Sequence, residues 1–500
     1  MLNQDKTPLL DALKKYTRSN HAAFYTPGHK RGQGISPQLI DCFGSEVFKF
    51  DLPELPDIGS LFDSQGVIQS AQEYAAAAFG ADYTCFLVNG STCGIVVAIL
   101  ATCGTGDKII LPRNVHQSAI SGLILSGATP IFVNPEYDPV LDIAHSITLE
   151  GVESALKQHS DVKAVMMVYP TYFGVCGDVK AVAHLTHKYN IPLLVDEAHG
   201  AHFAFHPDFP IPALKAGADL SIQSTHKTLG ALTQASMLHV QGDRINRDRL
   251  TKSLELVQSS SPSSLLLASL DAARQQMAVN GKQLMSRTLQ LAESARNQIS
   301  QIPGLSVLEL TIATPGFVAL DQTRLTVNVS GLGITGFAAD EILVDDDVIA
   351  ELPSLQNLTF IISLGNTDAD IEQLVQALKT LATKHKQIME AVKPWVGANA
   401  IAPFNHELKL ALTPRQAFYA IAETLPIEQT CDSASAPGNG LRLCAELVCP
   451  YPPGIPVLIP GEIVTTEAII YLQKIQSLGG YISGCADSSL KTLKVILEDV

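Results

Sequence analysis

Two side chains of opposite charge close two apolar runs. Ile191-Pro192-Leu193-Leu194-Val195 ends in Asp196-Glu197-Ala198-His199-Gly200, and Ala218-Asp219-Leu220-Ser221-Ile222 leads into Ser224-Thr225-His226-Lys227. A lysine and an aspartate, each at the carboxyl end of a predicted strand, are what a pyridoxal phosphate (PLP) site requires. The amine holds the cofactor aldehyde as a Schiff base, and the carboxylate keeps the pyridine nitrogen protonated so that the ring accepts electrons. Either residue alone reads equally well as a solvated loop residue.

A third group belongs to the same chemistry. Val88-Asn89-Gly90-Ser91-Thr92-Cys93-Gly94 stands between a predicted strand and a predicted helix. Glycines permit the tight turn, the new helix offers unpaired N–H groups and its positive dipole end, and Ser91 and Thr92 add hydroxyls. This is a way to hold a phosphate without a metal; an ordinary helix cap uses the same residues. His116, after another predicted strand, is placed to stack on a planar ring, and Ser224 and His226 flank the lysine. Ligands of α/β sheets sit beyond the carboxyl ends of the strands, so one fold brings these residues to one rim.

The chain between them must therefore build that rim. Gly66 to Ala78, rich in alanine, reads as a helix. Thr84 to Val88, Lys108 to Leu111, Thr129 to Val133, Ala164 to Val168 and Ile191 to Val195 read as short buried strands. Gly94 to Thr102, Ser118 to Ser126, Thr148 to Gln158 and Val179 to Lys188 read as the helices between them. Such alternation predicts an α/β fold with a mostly parallel sheet covered on both faces. Residues 1–60 read as an N-terminal arm, amphipathic at Leu9, Leu10, Leu13 and Tyr16 and then extended, with a turn at Pro27-Gly28. Residues 61–264 form the large domain. Residues 265–392 hold a long helix, Leu265 to Leu291, and a small α+β domain. Residues 393–500 form a C-terminal α+β domain, entered through a Pro/Gly/Ala linker, Lys393 to Pro403, that carries Trp395.

Bulk properties narrow the function. The 500 residues are 46% hydrophobic and 17% charged, which describes a well-packed soluble protein. A net charge of −15 argues against nucleic acid and suits a small cationic substrate. No apolar run approaches the roughly 20 residues that span a bilayer, and the start shows no secretory signal. Nine cysteines without a C-x-x-C pair or metal-ligand spacing predict reduced thiols, a cytoplasmic setting and no metal.

Taken together, the motifs resemble the Orn/Lys/Arg decarboxylases, PLP enzymes of fold type I. The matching strings are Tyr25-Thr26-Pro27-Gly28-His29-Lys30, Gly66-Val67-Ile68 with Ala71-Gln72, Asn89-Gly90-Ser91-Thr92, and Asp196-Glu197-Ala198-His199-Gly200-Ala201-His202. Ser224-Thr225-His226-Lys227, Tyr451-Pro452-Pro453-Gly454-Ile455-Pro456 and Pro460-Gly461-Glu462 complete the series, in order along nearly the whole chain. The length resembles the shorter branch of the family, without an N-terminal wing.

The resemblance implies an aspartate-aminotransferase-like large domain, a small domain, a C-terminal domain, and a homodimer or higher oligomer with sites at the interface. It assigns Lys227 to the cofactor aldehyde and Asp196 to the pyridine nitrogen, with His116 on one ring face and Ala198 on the other. Ser91, Thr92, Ser224 and His226 would surround the phosphate, with Cys93 and His199 completing the cofactor-binding set. Ser259 matches a hydroxyl contributed by the partner subunit. The reaction implied is loss of the α-carboxylate from lysine, arginine or ornithine, with His226 or Lys227 returning a proton to Cα. Glu446 and Glu462, flanking the Tyr-Pro-Pro-Gly loop, are the candidates for the substrate's distal cation. Pro56-Asp57-Ile58-Gly59-Ser60 departs from the family's acidic stretch, which leaves that assignment open. Two other readings stand beside it. One is an aminotransferase or aldolase-like enzyme on the same scaffold, with Arg415 or Arg442 as carboxylate clamp. The other is a non-catalytic PLP-binding regulator.

Overall fold

The computed structural model describes residues 2–389, 410–430 and 442–497; the expected linker at 393–403, with Trp395, lies outside them. Seven strands recur between residues 83 and 240: β1 (Tyr83–Leu87), β2 (Lys108–Pro112), β3 (Thr129–Val133), β4 (Val162–Val168), β5 (Leu193–Asp196), β6 (Leu220–Gln223) and β7 (Ser236–Val240). All are short, and all but β3, which is half-buried, are almost wholly buried, as strands covered on both faces must be.

The chain forms two compact units whose segments alternate in sequence, residues 1–101 with 194–286 and residues 102–193 with 287–500. In the first unit the strands run in the order β1-β7-β6-β5. β5 and β6 are parallel, and β7 is antiparallel to both β6 and β1. The antiparallel strand was not expected. It follows from a return through Leu229–Gln234, too short for a helical crossover. In the second unit β2 is parallel to β3 and to β4.

The residues that make helix Gly90–Thr102 explain how closely it can approach the strands. Gly94 faces β1 and β6, where an added Cβ would lie 2.7 Å from the side chains of both Leu87 and Ile222. The helix is apolar on all sides, as a buried helix is. It begins at Gly90 with φ +74°, four residues before the sequence suggested, so Ser91, Thr92 and Cys93 form its first turn.

The N-terminal arm is more regular than expected. Helix Pro8–Thr17 buries Leu9 and Leu13 completely. Its first amides are held by Asp271 of the long helix Ser264–Ile299, with Leu9 N donating to Oδ2 at 3.0 Å. Arg274 of the same helix donates to the carbonyls of Gln4 and Lys6.

The second unit also holds an antiparallel four-stranded sheet centred on Arg324–Asn328 and Asn357–Ile361, packed with helices Gly336–Asp345 and Asp368–Met389. Near the C-terminus, Ala422–Pro426 pairs with Thr492–Ile496, and Cys449–Tyr451 with Tyr481–Ser483. No helix among the described residues is long and apolar enough to cross a membrane.

Candidate active site

The first unit gathers most of the candidate residues. Asp196 ends β5, and its Oδ1 accepts from the Ala198 N–H at 3.2 Å, which turns the chain sharply after the strand. That turn delivers His199, whose Nε2 lies 3.1 Å from Lys227 Nζ. Burial pushes the Asp196 carboxyl above its usual range, and the charge of Lys227 pulls it back. The aspartate and lysine therefore feel each other, and one four-residue string, Asp196 to His199, supplies partners on both sides of the site.

Lys227 sits in the short helical turn Thr225–Thr228, directly after β6. Ser224, fully buried, donates from its Oγ to Ser91 Oγ at 2.7 Å, which joins the lysine turn to the first turn of helix Gly90–Thr102. Two hydroxyls, the unsatisfied N–H groups of a 13-residue helix and no acidic residue in its first turn make a cradle suited to an anion. Thr92 is exposed at this end. The Cys93 thiol is buried in the core, where burial pushes it up to about 12. The His226 Nδ1–H donates to the Ala235 carbonyl at 2.9 Å. Burial lowers the His226 pKa, the Ala235 bond opposes this and the Lys227 charge adds to it, so its Nε2 is a neutral acceptor. Ser259 is exposed and its Oγ accepts from the Ser261 N–H at 3.1 Å. The donor set of this unit fits PLP: an amine for the aldehyde, a buried carboxylate for a pyridinium and a hydroxyl-lined helix terminus for a phosphate.

His116, Glu446 and Glu462 belong to the second unit. His116 caps helix Gln117–Ser126, its Nδ1 accepting from the Ser118 amide at 3.2 Å with the Ser118 hydroxyl 2.8 Å away. The Tyr451-Pro452-Pro453-Gly454 loop lies against it: Gln117 N donates to Gly454 O at 3.0 Å, and a Cβ on Gly454 would stand 3.4 Å from His116 Nε2.

Both glutamates have partners within the protein. Glu446 accepts from Ala486 N at 2.6 Å and Lys494 N at 2.8 Å, one bond on each oxygen. Glu462 pairs with Arg113 at 3.2 Å and accepts from Ile459 N at 3.1 Å. Arg113 also donates to the carbonyls of Pro456 and Val457 at 2.6 and 2.8 Å, so the pair clamps the proline-rich loop. Among the arginines considered as carboxylate clamps, Arg415 donates to the Leu125 carbonyl and Arg442 lies 3.9 Å from Glu423.

Sequence reasoning passed over Glu197, Gln223 and His239. They form a buried polar cluster behind the site with Ser221 and Thr84. A histidine inside the apolar run Met237-Leu238-His239-Val240 was the available signal.

The fold is shared with solved amino-acid decarboxylases. A lysine decarboxylase from Francisella novicida superposes with a TM-score of 0.82 at 23% identity, covering 98% of this chain and 81% of that one. A serine palmitoyltransferase from Sphingomonas wittichii superposes with a TM-score of 0.53 at 13% identity, covering 70% and 82%. Residues 7–312 match the major domain of Orn/Lys/Arg decarboxylases, and residues 400–486 match their C-terminal domain. The chain belongs to the Orn/Lys/Arg decarboxylase family. It is 41% identical to an arginine decarboxylase of Halalkalibacterium halodurans over 503 positions, covering all of this chain and 99% of the relative. With an arginine decarboxylase of Bacillus subtilis it shares 40% over 500 positions, covering 99% of each. The protein is an amino-acid decarboxylase acting on a basic amino acid.

Proposed function

We propose that this enzyme removes the α-carboxylate of arginine, releasing CO2 and agmatine, with PLP held on Lys227. The observation that carries the choice of arginine is the full-length similarity, at 40–41% identity, to relatives named arginine decarboxylase. In this reading the pyridine nitrogen lies on Asp196, and the phosphate on Ser91, Thr92, Ser224 and the first amides of helix Gly90–Thr102. His226 is near this group, and Ala198 covers one face of the ring. When bound, PLP supplies an electron sink for the pair left as CO2 departs.

The chain's own residues do the rest. The buried Asp196 carboxylate stabilises positive charge at the pyridine nitrogen through direct attraction. His199 Nε2 takes a proton from Lys227 Nζ, which leaves the amine neutral and nucleophilic. Lys227, once released, or His226, through its neutral Nε2 after taking up a proton, returns a proton to Cα. We further propose a homodimer in the cytoplasm, with Ser259 reaching the partner's site and the amine product entering polyamine synthesis.

Purified protein incubated separately with arginine, lysine and ornithine tests the reading. Agmatine and CO2 from arginine, at a kcat/KM above the other two, are expected. Cadaverine or putrescine as the preferred product would move the substrate within the family, and a keto acid in place of CO2 would overturn decarboxylation.

A further inference from the structure

Glu197 is the immediate neighbour of Asp196, fully buried, and its three hydrogen-bond donors are neutral. Its Oε1 accepts from Ala213 N at 2.8 Å, and its Oε2 accepts from Ser221 Oγ at 2.5 Å and Gln223 Nε2 at 2.9 Å. Ser221 and Gln223 lie on β6, the strand that continues into Ser224 and Lys227. The Glu197 N–H also donates to the Ile222 carbonyl at 2.9 Å. One residue thus binds β6 through its backbone N–H and through Oε2, while Oε1 holds the Ala213 amide.

The network extends away from the site. Gln223 Oε1 lies 3.1 Å from His239 Nε2, and His239 Nδ1 lies 2.8 Å from Thr84 Oγ1. A single proton arrangement satisfies the series. The Gln223 amide donates to the carboxylate, so its oxygen accepts from His239 Nε2–H, which leaves Nδ1 to accept from the Thr84 hydroxyl. His239 stacks on Phe79 with centroids 4.7 Å apart, and burial drives its pKa down to about 3, so it stays neutral as this arrangement requires. Thr84 pairs with His239 across β1 and β7, and His239 with Ser221 across β7 and β6.

A buried carboxylate without a cation is costly, since its charge loses hydration. Burial lifts Glu197 to about 7, against the pull of its three donors. A glutamine or an apolar side chain would close this space without that cost, so the carboxylate is kept for its geometry: two acceptor oxygens that reach a helix amide and two β6 side chains together.

We propose that Glu197 is a positioning residue that fixes the separation between Asp196 and Lys227, and so matches the two strand ends to the span of one cofactor. This rests on the reading that PLP bridges those two residues. The test is cofactor binding by the full-length protein, stripped of PLP and titrated with PLP while the visible absorbance of the bound cofactor is followed, together with the pH midpoint of that absorbance and Tm. E197Q places an amide N–H against a donor and should raise Kd at least tenfold and shift the pH midpoint. S221A removes one donor from the carboxylate and should raise Kd several-fold, which covers the case in which E197Q fails to fold. T84V, at the far end of the network, should lower Tm to a similar degree as S221A yet change Kd less than twofold. Wild-type affinity and an unmoved midpoint in E197Q, or Kd values that simply follow Tm across the three variants, would overturn the positioning role alone. A wild-type protein that takes up no PLP would overturn the functional reading and this role together.

Discussion

Lys227 Nζ and His199 Nε2 stand 3.1 Å apart, although 28 residues separate them in the chain. The contact arises because β5 and β6 are parallel neighbours whose ends carry the two side chains to the same edge. An ammonium is no nucleophile, and an imidazole nitrogen at this distance can receive its proton. H199A should therefore slow PLP uptake, move the pH dependence of uptake upward and lower kcat about 100-fold, the scale of general-base catalysis. Stopped-flow absorbance across a pH series measures the first two, and an unchanged rate and profile would remove His199 from this role.

Lys227→Ala should abolish the visible absorbance of the cofactor and all decarboxylation. Asp196→Ala should keep the lysine and its absorbance but lower kcat by about 1000-fold or more, because a stabilising charge in a dry site is lost. Retention of near-wild-type turnover by D196A would show that the pyridine nitrogen is held elsewhere.

Glu197 imposes a pH dependence whose sign can be worked out. Its carboxyl titrates near 4.5 unfolded and at about 7 in the fold. Between these values the native protein keeps a proton that the unfolded chain has lost, so this group's contribution falls as pH rises through the window and is level above it. E197Q has no such proton. The stability of wild type relative to E197Q should therefore decline by about 3 kcal/mol from pH 4.5 to 7, measured by urea denaturation at each pH. A difference that is flat or grows with pH contradicts the assignment.

Arg113 and Glu462 are both almost fully buried. Removing one partner of such a pair leaves a stranded charge, so R113M or E462Q alone should cost about 3–5 kcal/mol. The double variant R113M/E462L removes both charges and should recover most of that loss, although the carbonyls of Pro456 and Val457 lose their donor. Additive losses in the urea midpoints would show that the two residues act independently.

Gly94→Ala tests how closely helix Gly90–Thr102 must approach the strands. The new methyl meets Leu87 and Ile222 well inside contact distance, so a destabilisation of about 1–3 kcal/mol is expected. A thermal midpoint equal to wild type would mean that the helix shifts freely.

The neighbours of these residues show where sequence reading stops. The positions of Asp196, Lys227 and Ser91 at or just beyond strand ends were legible because each follows an apolar run, where a local pattern and its place on the fold coincide. Glu446 and Glu462 were not, since position beside a proline loop says nothing of the donors that reach their oxygens from Lys494, Ala486 and Arg113. Glu197 was read as part of a string, while its partners are defined by strand pairing.

Local alternation of apolar and helical segments, turn residues and the order of the motifs were enough to settle the α/β class and the family, because those features depend on neighbours in the chain. Tertiary structure alone decided that β7 returns antiparallel, that His199 meets Lys227, and that His239 stands beside Gln223 and Thr84. Those contacts depend on which strands pair and in what register, a choice made by the burial of the whole core and not by any one segment.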